Sequence, residues 1–348
     1  MGLIDNRPVT IREVAADAGV GTATVSRALN EPWRVSPDTI ERVKASIGKL
    51  GYKPNFRARL LARGNSGTVC FLLSNRPFIH SVHGQILQGA ASEADLLGVQ
   101  IVYASCTYSA DVKPSQIKMP QILAARGLID GVIVAGTNYP NLIPVIEELE
   151  LPYVIFGTNY CDGSGRLPNA VYVDEQEGGY QAARHLLGLG HTKIAFIGDV
   201  SLPWYAHRYQ GFALAMSEAG IGAPKPIGSA ADGAVEMGVR AARQLCESKT
   251  DFTAIFAGGD RAAYGAMRML RKWGVSVPDD VSIVGFDDDE VASMAEPPLT
   301  TVRVPTEEIG ARCVLMLNDM IRAGAVPEEP AVLPAELVVR ASTAAPKK

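Results

Sequence analysis

Apolar residues follow two different spacings along the chain, and the change of spacing divides it. Between residues 9 and 51 they recur every three or four positions, as on one face of a helix. From Thr68 onward they form short runs separated by helical stretches, as buried parallel strands with connecting helices do. The pattern predicts an all-α head and an α/β body with parallel sheets. The predicted strands span residues 68–73, 99–104, 131–135, 153–156, 193–197, 253–257 and 281–285.

Three helices are predicted in the head. Thr10 and Glu13 form a capping box that opens the first helix, and Gly19 ends it in a left-handed conformation. The second helix covers 22–30, with Val25, Ala28 and Leu29 expected on its buried face. The third covers 36–50, because Ser-Pro-Asp supplies an N-cap, a first-turn proline and a favourable acid.

The outer face of the second helix has the character of a DNA recognition surface. It is small and hydroxylated at its start, so the helix can sit deep in a major groove while Arg27 reaches a guanine or a phosphate. A purely structural three-helix module is the alternative interpretation. The charge balance favours DNA, because residues 1–64 carry 11 Lys/Arg against 6 Asp/Glu although the whole chain has a net charge of −4.

Residues 55–64 have helical propensity but are too short to hold a helix alone in water. We expect this segment to fold only when bound, with Arg57, Arg59 and Arg63 neutralising phosphate while Leu60 or Leu61 forms an apolar wedge. A solvated charged linker is the alternative. Folding coupled to binding would let anything that separates two such segments weaken DNA affinity.

Other function classes lack their usual signals. No G-x-G-x-x-G follows a predicted strand and no P-loop motif occurs, while the five cysteines and five histidines show no metal-ligand spacing. We therefore expect no cofactor, no metal and no enzyme activity. The chain shows no signal-peptide pattern and no apolar run long enough to span a bilayer, so we expect a cytoplasmic protein, nucleoid-associated through DNA, without a membrane partner.

Three head segments, 9–20, 24–30 and 51–55, closely resemble the lac repressor (LacI/GalR) family of bacterial transcriptional regulators. The body is similar to that family along nearly its whole length. The matching segments are Leu189-Gly-His191, Arg208-Tyr-Gln-Gly-Phe212, Gly265-Ala-Met-Arg268, Gly285-Phe-Asp-Asp288 and Pro298-Leu-Thr-Thr301. The resemblance implies an N-terminal helix-turn-helix DNA-binding domain plus an α/β periplasmic-binding-protein-like sensor, whose two lobes are joined by three crossovers and hold a ligand between them.

On this basis we expect a DNA-binding domain at 1–54, a hinge at 55–66 and an effector-binding and dimerisation domain at 67–348. The first lobe would comprise 67–173 with 302–333, and the second 174–301 with 334–343. Leu61 aligns with the family's minor-groove leucine. The expected DNA-binding residues are Thr10, Thr22, Ala23, Thr24, Ser26, Arg27, Asn30, Tyr52, Asn55, Arg57, Ala58 and Leu61.

Arg208 and Asp287 match the family's ligand-holding arginine and aspartate, and a guanidinium beside a carboxylate can hold adjacent polar groups of a sugar. A structural ion pair is the alternative. Where sugar-sensing relatives present polar or aromatic groups, this chain has small residues near Gly259 and Gly233 and at Gly157 and Ala135, which predicts a larger sugar-like effector. The candidates for the rest of the site are Phe78, His80, Asn138, Tyr139, Asn159, Tyr160, Trp204 and Gly259.

The sequence thus predicts a homodimeric or larger repressor of operator DNA, controlled by a sugar or related metabolite. A solute-uptake protein would share the body but not the basic head, and a sugar-cleaving enzyme would need paired cleft carboxylates. Repression relieved by the ligand is the commoner polarity in the family, but corepression uses the same parts, so the sequence leaves both open. The tail after residue 340 lacks a leucine heptad, which argues against a tetramer assembled through it.

Overall fold

The computed structural model describes residues 9–52, 65–76, 81–125, 127–160, 166–229, 231, 233–248 and 251–347. The chain divides into two compact units, Met1–Ser66 and Gly67–Lys348, which we call the head and the body. The predicted hinge residues Asn55, Arg57, Ala58 and Leu61, and the cleft candidates Phe78 and His80, lie outside the described residues.

The head contains the three predicted helices, α1 (Ile11–Ala18), α2 (Thr22–Asn30) and α3 (Pro37–Leu50). The backbone N–H of Thr10 donates to the Glu13 carboxylate at 2.7 Å, and Gly19 ends α1 with φ 64°. The small core is formed by Val14, Ala15, Ala18, Val25, Val43 and Tyr52. The predicted burial of Leu29 is wrong. This residue lies in the last turn of α2, outside this core, and is 39% exposed.

The body contains two parallel sheets, as predicted. In the first lobe the strand order is β10-β5-β4-β3-β1-β2, and every pair is parallel. These strands are β1 (Thr68–Ser74), β2 (Gln100–Cys106), β3 (Gly131–Gly136), β4 (Tyr153–Phe156), β5 (Ala170–Val173) and β10 (Ala331–Leu333). The helices of this lobe are α4 (Ser81–Leu97), α5 (Gln121–Ala124), α6 (Ile143–Glu147) and α12 (Thr306–Ala323).

The second lobe has the strand order β6-β7-β8, again parallel. Its strands are β6 (Ile194–Ile197), β7 (Ala254–Ala257) and β8 (Ser282–Val284). Its helices are α7 (Glu175–Gly188), α8 (Pro203–Glu218), α9 (Ala234–Glu247), α10 (Asp260–Lys272) and α11 (Glu290–Met294). Four short strands were not predicted. Two of them, β5 and β10, belong to the first lobe, and the other two, β9 (Thr301–Arg303) and β11 (Glu336–Val338), form an antiparallel pair.

The chain passes between the lobes three times in the described residues, and these crossovers lie side by side. The first joins β5 to α7, the second contains β9, and the third runs from β10 through β11. Past β11 the chain stays on the second lobe, where the N–H of Ile283 donates to the carbonyl of Ser342 at 2.8 Å. The ligand-facing ends of the two sheets are therefore connected by three adjacent segments.

Paired glycines set the closest helix contacts of the body. A Cβ on Gly211 of α8 would lie 1.8 Å from the carbonyl oxygen of Gln176, and a Cβ on Gly179 of α7 would lie 2.0 Å from that of Arg208. Backbone atoms cannot move aside as a flexible side chain can, so these helices pack only where both side chains are absent. The same reciprocal arrangement joins α4 to α12 through Gly89 and Gly310, and α9 to α10 through Gly238 and Gly265.

Candidate DNA-binding surface and ligand cleft

The exposed face of α2 carries most of the predicted DNA contacts that the structure describes. Thr22, Ala23 and Arg27 are exposed, while Thr24 and Ser26 are half-buried. Gly21 precedes the helix and offers no side-chain cap, so the first N–H groups of α2 are available to a phosphate.

Two other predicted DNA contacts flank this helix. Thr10 is exposed at the start of α1, where its hydroxyl donates to the Glu13 carboxylate at 2.7 Å. The Tyr52 side chain is only 9% exposed and belongs to the head core, so its ring has a structural role in this unit.

Within the body, a cavity of about 700 Å³ lies between the lobes. The first lobe contributes Asn75, Arg76, Val82, His83, Thr137, Tyr139, Phe156 and Asn159. The second lobe contributes Leu202, Trp204, Tyr205, Arg208, Gly233, Ala234, Val235, Glu236, Met237, Gly259, Arg261, Asp287 and Asp289. Glu175 and Val304 come from the first and second crossovers, so both lobes and two of the three crossovers line the cavity.

Arg208 forms the charged floor of the cleft. Its Nε and Nη2 donate to the two oxygens of Glu175, its Nη2 also donates to Asp287 Oδ1 at 2.9 Å, and its Nη1 donates to the carbonyl of Gly258. The guanidinium lies 3.8 Å from the centroid of the Phe286 ring. Most donors of Arg208 are thus used within the protein, and the ion pair that the sequence left as an alternative exists inside the cleft itself.

Asp287 lines the cavity and accepts the hydrogen bond from Arg208 through Oδ1. A Cβ on Gly259 would lie 3.5 Å from Asp287 Oδ2 and 3.7 Å from the Tyr205 hydroxyl, so the absence of a side chain there leaves room for a ligand group. Burial raises the pKa of Asp287 to about 6, although the charge of Arg208 acts in the opposite direction. Burial acts to lower the pKa of Arg208, but Asp287 and Glu175 together hold it above its ordinary value.

A cation–π contact connects the two lobes across the cleft. The guanidinium carbon of Arg76, which follows β1, lies 5.9 Å from the centroid of the Trp204 ring at the start of α8. Opening the lobes would break this contact, and a flat ligand group could replace it on the indole face.

The predicted cleft residues Arg208, Asp287, Asn159, Trp204 and Gly259 all line the cavity, as does Tyr139. Asn138 does not line the cavity: its side chain is fully buried, and its amide contacts Ser74 and the carbonyl of Gly136 inside the first lobe. Tyr160 is likewise buried. The polar and aromatic lining residues that sequence reasoning missed are Asn75, Arg76, His83, Thr137, Phe156, Glu175, Tyr205, Glu236, Arg261 and Asp289.

A usable signal existed for some of the missed residues. Asn75 and Arg76 directly follow β1, whose carboxyl end points to the cleft, as in other open α/β sheets. Glu175 carried no such signal, because it follows β5, a strand that the apolar pattern did not predict. In the described part of the chain, no group of three or more His, Cys, Asp or Glu side chains is arranged to hold a metal ion. Within the same residues, no helix is long and apolar enough to cross a membrane.

A three-helix head with an exposed second helix, followed by a two-lobed α/β body with a central cleft, defines a ligand-responsive DNA-binding regulator. Residues 10–55 match the family of bacterial regulatory proteins called the lacI family, and residues 183–343 match a periplasmic binding protein-like domain. The chain belongs to the lacI family, as its resemblance to lac repressor predicted.

Its relatives are named as transcriptional regulators. The regulator DegA of Bacillus subtilis is 35% identical over 339 residues, covering 96% of this chain and 98% of DegA. The regulator CelR of Thermobifida fusca is 34% identical over 341 residues, covering 97% of this chain and 98% of CelR. These names confirm the prediction of a regulator rather than an enzyme.

Solved structures of the family share the fold. A complex of CelR with cellobiose has a TM-score of 0.69 at 32% identity, and it covers 97% of this chain and 100% of that one. The lac repressor dimer bound to operator and the anti-inducer ONPF has a TM-score of 0.80 at 28% identity, with the same coverage. The predicted fold class is confirmed.

Proposed function

We propose that this protein is a cytoplasmic homodimeric repressor whose affinity for a pseudo-palindromic operator is set by a neutral sugar of about two rings bound between the lobes. The observation that carries the proposal is the cleft floor, where Arg208 is held by Glu175 and Asp287 and all three side chains line the cavity. Such a floor accepts hydrogen bonds from sugar hydroxyl groups at a site lined by both lobes.

The charge of the cleft favours a neutral ligand. Arg208 is neutralised by two carboxylates, and Arg261 contacts Asp289 at 3.1 Å. Two of the three arginines that line the cavity are therefore paired with carboxylates, which would repel a free anion. Hydroxyl groups meet acceptors there without that repulsion.

The size and lining of the cleft favour more than one ring. The wall has no large side chain at Gly233 and Ala234, and the cavity of about 700 Å³ lies in the upper part of the range for small-molecule sites. Trp204 presents an indole on which a sugar ring can stack. A relative, CelR, is described in complex with the disaccharide cellobiose, which makes cellobiose the first probe to use.

On the DNA side, we propose that Thr22, Ala23 and Arg27 read base edges while two hinges fold together at the operator centre. The lac repressor is described as a dimer on its operator, which supports a dimer here. Lobe closure would change the separation of the hinges and hence their folding equilibrium. Ligand-relieved repression and corepression both use this arrangement.

The DNA half of the proposal is tested by selecting sites from random duplexes with the purified full chain. We expect a two-fold symmetric site, and an affinity that falls with salt with a log–log slope of about −0.9 per neutralised phosphate. Failure to enrich any duplex, with and without sugar, would contradict it.

The ligand half is tested by calorimetry with cellobiose and a panel of neutral disaccharides, monosaccharides and sugar acids. Trp204→Ala should weaken binding about tenfold or more if one aromatic stacking contact is lost. Trp273→Ala is the matched control, because Trp273 ends α10 and does not line the cleft. Tight binding of a sugar acid but of no neutral sugar would refute the charge argument.

A further inference from the structure

In the turn after β8, three consecutive aspartates lie alternately against the cleft and against the crossovers. Asp287 and Asp289 line the cavity, whereas Asp288 between them does not. The backbone has φ 106° at Asp287 and φ 56° at Asp288, both in the left-handed region that side chains rarely adopt. Such a conformation persists only where surrounding contacts hold it.

Asp288 uses both carboxylate oxygens to contact the crossovers. Oδ2 accepts from Arg303 Nε at 2.8 Å, and Arg303 is the last residue of β9 in the second crossover. Oδ1 accepts from Arg340 Nη2 at 2.6 Å, and Arg340 lies two residues beyond β11 of the third crossover. The side chains of Asp288 and Arg340 are 11% and 21% exposed, so the hydrogen bond between them is little screened by solvent, whereas Arg303 is 48% exposed and its bond is more strongly screened.

The backbone of Asp287 also forms hydrogen bonds with the second crossover. Its N–H donates to the carbonyl of Val302 at 2.8 Å, and its carbonyl accepts from the N–H of Val304 at 3.4 Å. Arg340 also donates from Nη1 to the carbonyl of Leu299 at 2.9 Å, just before β9. The backbone of the aspartate that lines the cleft is therefore held by the second crossover, and Arg340 of the third crossover contacts its neighbour Asp288.

The first crossover reaches the same aspartate from the cleft side. Glu175 follows β5 and holds Arg208, which in turn contacts Asp287. Two groups of ion pairs, Glu175–Arg208–Asp287 at the first crossover and Arg303–Asp288–Arg340 at the second and third, are thus joined by the peptide bond between Asp287 and Asp288.

We propose that Asp288, Arg303 and Arg340 form a crossover clamp, whose role is to position Asp287 for the ligand and to couple it to the segments about which the lobes rotate. This inference rests on the proposed function of the cleft. The three side chains of the clamp act through Asp287 and are positioning residues.

The test compares Asp288→Asn with Asp280→Asn in the full-length protein. Asp280 is a matched control in the same lobe, because one oxygen accepts from Lys347 at 2.6 Å and the other from the N–H of Ser276 at 2.8 Å. Asp280→Asn therefore loses an ion pair with Lys347 of the C-terminal tail without changing a residue that lines the cleft. Circular dichroism establishes that each variant is folded at the working temperature.

The first readout, amide hydrogen exchange by NMR, needs no ligand. In Asp288→Asn the N–H groups of Asp287 and Val304 should exchange at least about tenfold faster, the factor that matches loss of one charge-assisted hydrogen bond. Exchange within β7 should be unchanged, and Asp280→Asn should behave as the wild type at both sites. Unchanged exchange at Asp287 and Val304 overturns the proposal.

The second readout is cellobiose affinity. Asp288→Asn should bind about tenfold more weakly than wild type, with Arg340→Lys retaining more affinity than Arg340→Met. A variant with a lowered unfolding midpoint but wild-type affinity overturns the clamp and leaves a purely structural ion pair. If the wild type does not bind cellobiose, that probe was wrong for the proposed function, and the exchange experiment alone decides the clamp.

Discussion

Replacing Arg208 by Met should destabilise the body strongly, because it leaves two carboxylates without their guanidinium. The Arg208 and Glu175 side chains are 6% and 3% exposed, and that of Asp287 is 25% exposed. Removing one partner of a buried ion pair typically costs about 3–5 kcal/mol. Since Met fills the volume of the aliphatic stem, nearly all of the loss should be electrostatic.

The loss should depend on pH in a defined direction. Burial already raises the pKa of Asp287 to about 6, and removing Arg208 takes away the main charge that opposes this rise. At pH 5 the carboxyl group therefore carries a proton in the folded variant, which removes its uncompensated charge. At pH 8 it must be ionised or take up a proton at a larger cost, so we expect the full loss of about 3–5 kcal/mol at pH 8 and a smaller one at pH 5.

The assay is urea unfolding of the full chain followed by far-ultraviolet circular dichroism at both pH values. Arg271→Met on the exposed surface of α10 is the control and should lie within about 0.5 kcal/mol of wild type. The double variant Glu175→Gln with Arg208→Met should be more stable than Arg208→Met alone, because one buried charge has been removed. A loss below about 1 kcal/mol at pH 8, or no recovery in the double variant, would refute the reasoning.

Three further predictions follow from single positions. Gly211→Ala should lower the free energy of unfolding in urea by about 1–3 kcal/mol or more. Gly188→Ala is the control, because a Cβ there meets nothing within 4 Å, and it should be neutral or stabilising. Equal effects of the two substitutions would contradict the close-packing argument. Burial raises the pKa of Asp287 from an ordinary 3.8 to about 6, so the free energy of unfolding of the wild type should fall as pH rises from about 4 to about 6. Asp287→Asn should flatten this slope. If the slope is unaltered, the pH dependence belongs to other groups. Arg27→Ala should cost about 1–3 kcal/mol of operator binding and relax base preference at one position, and equal loss on all duplexes would make it a phosphate contact.

The head could be read almost completely from the sequence, because its signals act over a few residues. The bond from Thr10 to Glu13 and the left-handed Gly19 fix the limits of α1 without reference to the rest of the chain. The pattern failed at Leu29, since helical spacing states which side a residue faces but not how far a small core extends.

The seven long apolar runs of the body likewise predicted their strands. β9 and β11 were missed because neither stands out as an apolar run: Thr-Val-Arg has one apolar residue and Glu-Leu-Val has two. Their pairing also joins Thr301 to Val338, far along the chain. Without β5 there was no reason to place Glu175 beside Arg208, although this contact sets the charge of the cleft.

The sequence by itself determined the local elements and the basic head, because caps and apolar runs act at short range. Arg208 and Asp287 were named through the resemblance to the family, not through short-range signals. Tertiary structure alone decided which polar side chains face the cleft. It turned Asn138 inward to the first lobe and brought Arg76 to Trp204 across the lobes. Those outcomes depend on how distant strand ends meet, and strand register and crossover packing, rather than composition, set that geometry.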